Sequence, residues 1–349
     1  MKIKKNINKL IIILLVFVII LFLSILIYIY LNKSINYKYE LFTDKNESEE
    51  NCKYISSYGI MKSCNIYSSS KPISSIKILQ DYDFTKGFDN CCIYICTSAL
   101  PEFVSKINDI NYKFILVSGD ADETAPTDIF TTDEEFKKFI ENDKIIHWYA
   151  QNCIGKHPKL SHIPIGLDYH TMSHNKNHQW GDSMSPKQQE ELLINISKNA
   201  KPFWERINQS YSNFHFTITD SKFGYDRTDA MNNIQNDLIY YEPNKIKRKE
   251  TWVNMSTFCF IISPHGNGLD CHRTWEALCL GCIPIVKTSS LDILFYDLPV
   301  LIVNEWSDVS LELLNNTISN YKTKYISKQF NYDKLLLKYW INKIKTSDS

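Results

Sequence analysis

No excess of either charge marks this chain of 349 residues, in which Lys+Arg number 39 and Asp+Glu 39. A long nucleic-acid polyanion needs a basic face to neutralise its phosphates, so nothing recommends one as partner. Glycine loops of two familiar kinds are missing as well. None has the G-x-G-x-x-G spacing of a dinucleotide site, and none has the G-K-[ST] of a P-loop. H-E-x-x-H is absent, and no serine or cysteine stands in a nucleophile arrangement, which fits a reaction in which one substrate attacks the other directly. Aromatic residues, at 13%, suit a globular core or sugar-stacking surfaces equally.

Long apolar runs are also lacking, with one exception. Residues 10–31 are uncharged and dominated by Ile, Leu, Val and Phe, the length of a membrane-crossing helix. No small-residue cleavage site follows, so a retained anchor is expected rather than a secretory signal. Lys2, Lys4, Lys5 and Lys9 precede the run against Lys33 and Lys38 after it. That bias predicts a single-pass type II protein with a cytoplasmic tail at 1–9, its lumenal part in the Golgi, the endoplasmic reticulum or a virus-associated membrane. The lipid bilayer is then a partner through 10–31.

Residues 32–75 are polar with clustered serines and are expected to form a stem. Cys52 and Cys64 lie in it, and a bridge between them is reasonable in a lumenal setting. All ten cysteines follow the apolar run, yet Cys91, Cys92, Cys96, Cys259 and Cys282 sit in apolar stretches where a free thiol packs as a small hydrophobe. Asn32, Asn46, Asn195, Asn208, Asn254 and Asn315 each begin an Asn-x-Ser/Thr sequence.

Beyond the stem, short apolar segments alternate with helical ones: strands at 92–97, 112–118 and 144–149, helices at 100–110 and 132–142. Such alternation argues for a parallel sheet. The fold class is α/β, with a first Rossmann-like domain at 76–210 and a second at 211–349 whose opening strand is expected at 214–219 and whose last helix at 332–344. Six of the nine histidines fall between His147 and His178. His170, His174 and His178 have helical zinc spacing, but the polar residues between them disfavour a helix. Cys279 and Cys282 with Cys271 and His272 also have a zinc-like count, interrupted by an apolar helix.

The most informative stretch is 258–286, FCFIISPHGNGLDCHRTWEALCLGCIPIV. An apolar run reads as a buried strand, and Gly266 and Gly268 follow, able to take positive φ and let backbone approach a ligand. A helix is expected over 269–280 with Gly281 as its C-cap, then another strand. Strand, glycine loop and helix present free N–H groups to an anion, usually phosphate. His265, His272 and Arg273 lie at the helix start, where a guanidinium can clamp a diphosphate. Glu276, one turn on, can accept hydrogen bonds from ribose hydroxyls.

These residues resemble the donor-binding segment of GT-B glycosyltransferases, in which a Glu helix ends in small-x-Gly-x-Pro-(Val/Ile). More narrowly the chain is similar to exostosin-like glycosyltransferases, including those of giant viruses, most specifically over 258–306. The resemblance implies two Rossmann-like domains facing across a cleft, the first holding the acceptor and the second a nucleotide sugar. It implies a donor set of Arg227, His265, Gly266, Asn267, Gly268, Asp270, Arg273 and Glu276, with no tightly bound cofactor. A UDP-sugar is favoured as donor, a glycan or glycoprotein as acceptor, and inversion as outcome, making the chain a hexosyl- or pentosyltransferase.

An inverting transfer needs a base for the acceptor hydroxyl. Asp168 and His170 follow an expected strand ending at Gly166 and are the candidates. Asp120-Ala121-Asp122 supports an alternative, since a D-x-D at a strand end is how metal-dependent GT-A enzymes hold a divalent cation. Metal is possible on that reading but not favoured. A third reading is a non-catalytic sugar-binding membrane protein, against which Arg273 and Glu276 speak.

Overall fold

The computed structural model describes residues 47–69, 78–79, 81–214 and 221–346. The expected cytoplasmic tail, the membrane span at 10–31 and the first part of the stem lie outside the described residues. Among the described residues no helix is long and apolar enough to cross a membrane.

Residues 49–349 form one compact unit built on two parallel sheets. The first contains β1 (Cys91–Cys96), β2 (Phe114–Gly119), β3 (Ile145–Ala150) and β4 (Leu160–His162), in that order across the sheet. Every residue of β1 and β2 is buried. Cys91, Ile93, Ile95, Phe114 and Leu116 point into one core, while Cys92, Tyr94, Ile115 and Val117 point into another. Both faces are covered, which is why these strands read as continuous apolar runs rather than alternating ones.

A short antiparallel pair follows, β5 (Asn177–His178) with β6 (Gly181–Asp182). The second sheet contains β7 (Ile207–Ser212), β8 (Ile239–Tyr241), β9 (Phe258–Ile262), β10 (Ile283–Lys287) and β11 (Leu301–Val303). Its order is β11-β10-β9-β7-β8, all parallel. The chain winds outward from β7 to β8 on one side and from β9 through β10 to β11 on the other. The gap between β7 and β9 is therefore the place where loops leave the sheet's carboxyl edge in opposite directions.

Three expectations need correction. Residues expected to be stem fold into the body: Glu49, Cys52, Ile55, Tyr58, Ile60, Met61, Cys64 and Ile66 are buried, and Ile66 bridges to Ile93 of β1. A truncation at 76 would uncover that core. Cys52 and Cys64 are both free thiols, Cys64 lying against Cys92 instead. The strand opening the second domain is β7, ahead of the expected 214–219, of which 215–220 lie outside the described residues. Its sequence, INQSYS, carries too little apolar signal to be read as a central strand.

Three helices bear on the site. Pro186–Asn199 starts with a capping box in which Ser185 accepts from the Gln188 amide and Gln188 from the Ser185 amide. Arg248–Met255 buries Arg248, Thr251, Trp252 and Met255, one face at helical spacing. Leu337–Lys345 returns to the first sheet, where the Lys343 carbonyl accepts from the Tyr149 hydroxyl and the Leu337 amide donates to the Lys53 carbonyl.

Candidate functional site

The loops after β7 and β9, at the switch point of the second sheet, open on a cleft of about 380 Å³. Asn213 and Phe214 come from the first loop, and Gly266, Asn267, Gly268, Asp270 and Cys271 from the second. The helix His272–Cys279 adds His272, Arg273 and Glu276. Asp122 and Ile165 close the cleft from the first sheet. Gly281 follows the helix with φ +72°, the left-handed residue a helix end favours.

Two guanidiniums dominate this cleft. Arg273 and Arg227 both stand over the Phe214 ring, with Cζ to centroid distances of 5.3 and 6.0 Å. Arg227 Nε donates to the His265 carbonyl at 3.3 Å. Arg273 Nη1 is buried without a hydrogen-bond partner. Burial and the adjacent Arg273 push the Arg227 guanidinium down to about 10, and burial lowers Arg273 against the pull of Cys271 and Glu276. Two cations are thus forced together, one of them with an unused buried donor.

The other expected donor residues divide by role. His265 does not line the cleft; its Nδ1 donates to the Leu269 carbonyl at 2.7 Å and shapes the loop from behind. Gly266 and Gly268 are not in the left-handed region expected of them. A side chain at Gly268 would meet Asn152 Nδ2 at 2.7 Å, so glycine there serves a close approach between the two halves. At Gly266 an added Cβ would lie 3.2 Å from Arg227 Nη2.

Asp270 is spoken for, its carboxylate accepting from the Ile165 amide (2.8 Å), the Cys271 amide (2.9 Å) and the Trp275 indole (2.9 Å). Its own amide donates to Asn152 Oδ1 at 2.8 Å. These contacts, with His272 Nδ1 donating to the Gly166 carbonyl at 2.7 Å, bolt the second half to the first.

Glu276 lines the cleft, and its Oε1 accepts from Arg248 Nη2 at 2.8 Å. Arg248 is the residue that sequence reasoning missed. It is 6% exposed and lies against Trp180 and Trp252, 4.7 and 5.1 Å from the ring centroids. Its Nη1 donates to the Asp168 carbonyl at 2.5 Å and to Gln189 Oε1 at 3.0 Å. In the run KIKRKE it reads as one more solvated cation. The available signal was its place at the start of the buried stripe Arg248, Thr251, Trp252, Met255.

Asp168 and His170 are neighbours but neither lines this cleft. His170 opens the helix His170–His174, which sequence reasoning disfavoured; His178 falls in β5, so the three do not share one helix face. His170 Nδ1 is 3.5 Å from Asp168 Oδ1 and 4.0 Å from Glu49 Oε1, and its Nε2 is 3.9 Å from Asp120 Oδ1. Tyr58 stacks on the imidazole at 4.0 Å. Burial would raise the Asp168 carboxyl, but His170, His272 and Arg248 outweigh it and hold it well below the usual carboxylate range. Burial raises Asp120, with Asp168 and Glu49 adding to it.

Asp120 also has φ +57°, a left-handed backbone that aspartate tolerates better than most residues. The two aspartates of the D-x-D thus face different places, Asp120 the imidazole and Asp122 the cleft. Among the described residues no group of three or more His, Cys, Asp or Glu could hold a metal ion.

Glu49, 1% exposed, is pushed up to about 8 by burial, with Asp168 adding to it and a hydrogen bond from Ser56 opposing. Between its unfolded value of 4.5 and about 8, the folded chain keeps a proton that the unfolded chain has released. Stability from this site is therefore complete below about 4.5 and drains as pH rises towards 8. Glu49→Gln removes the titration, so wild type should lose on the order of a few kcal/mol relative to the variant between about pH 5 and 8 in chemical denaturation. Parallel profiles would refute the assignment.

No protein-family model and no curated protein matches the chain. Solved structures with a similar course include an E. coli trehalose-6-phosphate structure bound with UDP-2-fluoro glucose, at TM-score 0.37 and 12% identity, covering 74% of each chain. OtsA in its apo form gives 0.39 and 13%, over 75% of this chain and 73% of that one. An alpha,alpha-trehalose-phosphate synthase (UDP-forming) from Burkholderia vietnamiensis gives 0.36 and 9%, over 72% and 71%. Likeness at these scores carries no inference for this chain.

Proposed function

We propose that the chain is a GT-B-type glycosyltransferase that moves a sugar from a nucleotide sugar, a UDP-sugar best, to a glycan or glycoprotein acceptor. One observation carries this reading: the Arg227–Arg273 pair, with Arg273 Nη1 buried and unpartnered, at the switch point of a parallel sheet. Ligands of open α/β sheets bind there, and a diphosphate supplies the acceptor that Arg273 Nη1 lacks.

In the proposed reaction the acceptor hydroxyl attacks the anomeric carbon, the bond to the diphosphate breaks, and the two arginines stabilise the charge gathering on the leaving group. The Glu276 carboxylate oxygen not held by Arg248 is the proposed partner of the ribose hydroxyls. Of the two base candidates, neither of which lines the cleft, His170 is the proposed base, with Asp168 Oδ1 3.5 Å from its Nδ1. The exostosin-like kinship, inversion and a type II anchor at 10–31 in an endomembrane belong to the same proposal.

The test is thermal stabilisation of the purified chain by UDP, GDP and their sugars, with and without EDTA. A native-state ligand at a hundredfold excess over its dissociation constant adds roughly 2.7 kcal/mol. A shift by one nucleotide class that survives EDTA supports the metal-independent site. A shift lost in EDTA moves the assignment to a metal-dependent site at Asp122, and no shift with any nucleotide overturns a nucleotide-sugar donor.

A further inference from the structure

A second concavity, about 530 Å³, lies where β4, the loop after β10 and the helix Leu337–Lys345 meet, and it shares no lining residue with the cleft. Its volume is within the range of small-molecule sites, roughly 300–1,000 Å³. The basic groups lining it come from two distant stretches of chain: Lys156, His157 and His162 beside β4, then Lys334 and Lys343 near the C-terminus.

The acids nearby are engaged. Asp297 pairs with Lys334 and accepts from Asn331. Asp292, which lines the concavity, accepts from the Thr288 hydroxyl at 2.6 Å and the Ser289 amide at 3.0 Å, closing a turn. His162 Nε2 is buried without a partner. His157 Nδ1 accepts from the Lys159 amide at 3.1 Å, which leaves Nε2 as the nitrogen that carries the proton in the neutral ring. Lys343 lies over the Trp340 ring, 5.1 Å from its centroid.

Beside this basic floor stand Tyr296 and Ile293, 75% and 56% exposed, an apolar rim that solvent does not favour. Burial lowers both His162, against the backbone of Cys153 and Ser290 and with a smaller push from Lys343, and Lys343, with Lys334 adding to it and Asp297 opposing.

We propose that this concavity is a second binding site, for a phosphate group carried on a body with an apolar face, such as a sugar phosphate or a lipid headgroup. A phosphate would accept from Lys156, Lys343 and the imidazoles and relieve their mutual repulsion, while the body packs on Tyr296 and Ile293. Ser290 donates to the Cys153 carbonyl at 2.7 Å beside the site, so its walls belong to both halves of the molecule. The proposal is independent of the donor reading, because the two sites have no residue in common.

The experiment is isothermal titration of the purified full-length chain with a soluble sugar phosphate, the same sugar unphosphorylated, and vesicles with and without phosphatidic acid. Saturable phosphate-dependent binding is expected. It should weaken at least tenfold in the Lys156→Ala/Lys343→Ala double variant, persist in Lys343→Arg and be unchanged in Arg273→Gln. Binding to phosphatidic acid vesicles alone, lost in the double variant, would identify the source as a headgroup. Absence of saturable binding by both phosphate probes, or loss in Arg273→Gln with retention in the double variant, would overturn the site.

Discussion

Arg273→Gln is expected to weaken binding of a nucleoside diphosphate about 100-fold, close to 2.7 kcal/mol, while leaving the unliganded chain at least as stable as wild type. The two effects have one cause. Arg273 Nη1 is buried with no acceptor from the protein, and Arg227 stands against the same ring. Removing the charge deletes a desolvated group that repels Arg227, a gain that offsets the lost attraction to Glu276. In the complex the same group makes charge-assisted hydrogen bonds that glutamine cannot replace. Titration calorimetry with UDP and a urea melt of the apo protein read the two halves separately. Equal losses in affinity and stability would show that Arg273 is only a structural residue.

Arg248→Met should be the most damaging single change, costing about 3–5 kcal/mol in a urea melt. Methionine fills the space between Trp180 and Trp252, so packing is kept and only the charge is lost. What remains is a Glu276 carboxylate without the cation hydrogen-bonded to it, and Gln189 and the Asp168 carbonyl each short of a donor. The double variant Arg248→Met/Glu276→Gln should recover much of the loss, because the stranded charge is then gone. Additive losses would mean that the ion pair is not what Arg248 contributes. Glu276→Gln alone should be milder, since its amide oxygen can still accept from Arg248.

The parts that were legible in the sequence are those with a local cause. β1, β2 and β9 announce themselves as unbroken apolar runs, and Gly281 as a helix end. Arg273 and Glu276 come out on one cleft because one helix, one turn apart, carries both. Arg227 joins them from the first turn of the helix Tyr225–Asn233, which follows β7 in the chain.

Illegible were the features made by tertiary contact. β7 is a central strand of polar residues, stabilised by neighbours on both sides rather than by its own composition. Asp270 looked like a ligand contact because nothing local shows that Ile165, 105 residues earlier, claims its carboxylate. The same holds for Arg248, whose partners Asp168 and Gln189 lie 80 and 59 residues away. The serine-rich start of the body read as stem because Glu49, Ser56 and Ser57 are polar residues whose partners include each other and the distant His170. Sequence spacing does not record such pairings.

The central core belongs to neither sheet alone. Val117 and Tyr149 of the first sheet share it with Ile261 of the second, with Trp275 and Leu278 of the helix His272–Cys279, and with Ile55, Leu337 and Trp340 from the two ends of the body. Each lobe also has an interior of its own, and two lobes with no more than that could melt one after the other, or be exchanged between relatives as interchangeable parts. Here each lobe supplies the other's dry side, so neither is a transplantable piece, and heat should take both apart in a single calorimetric step.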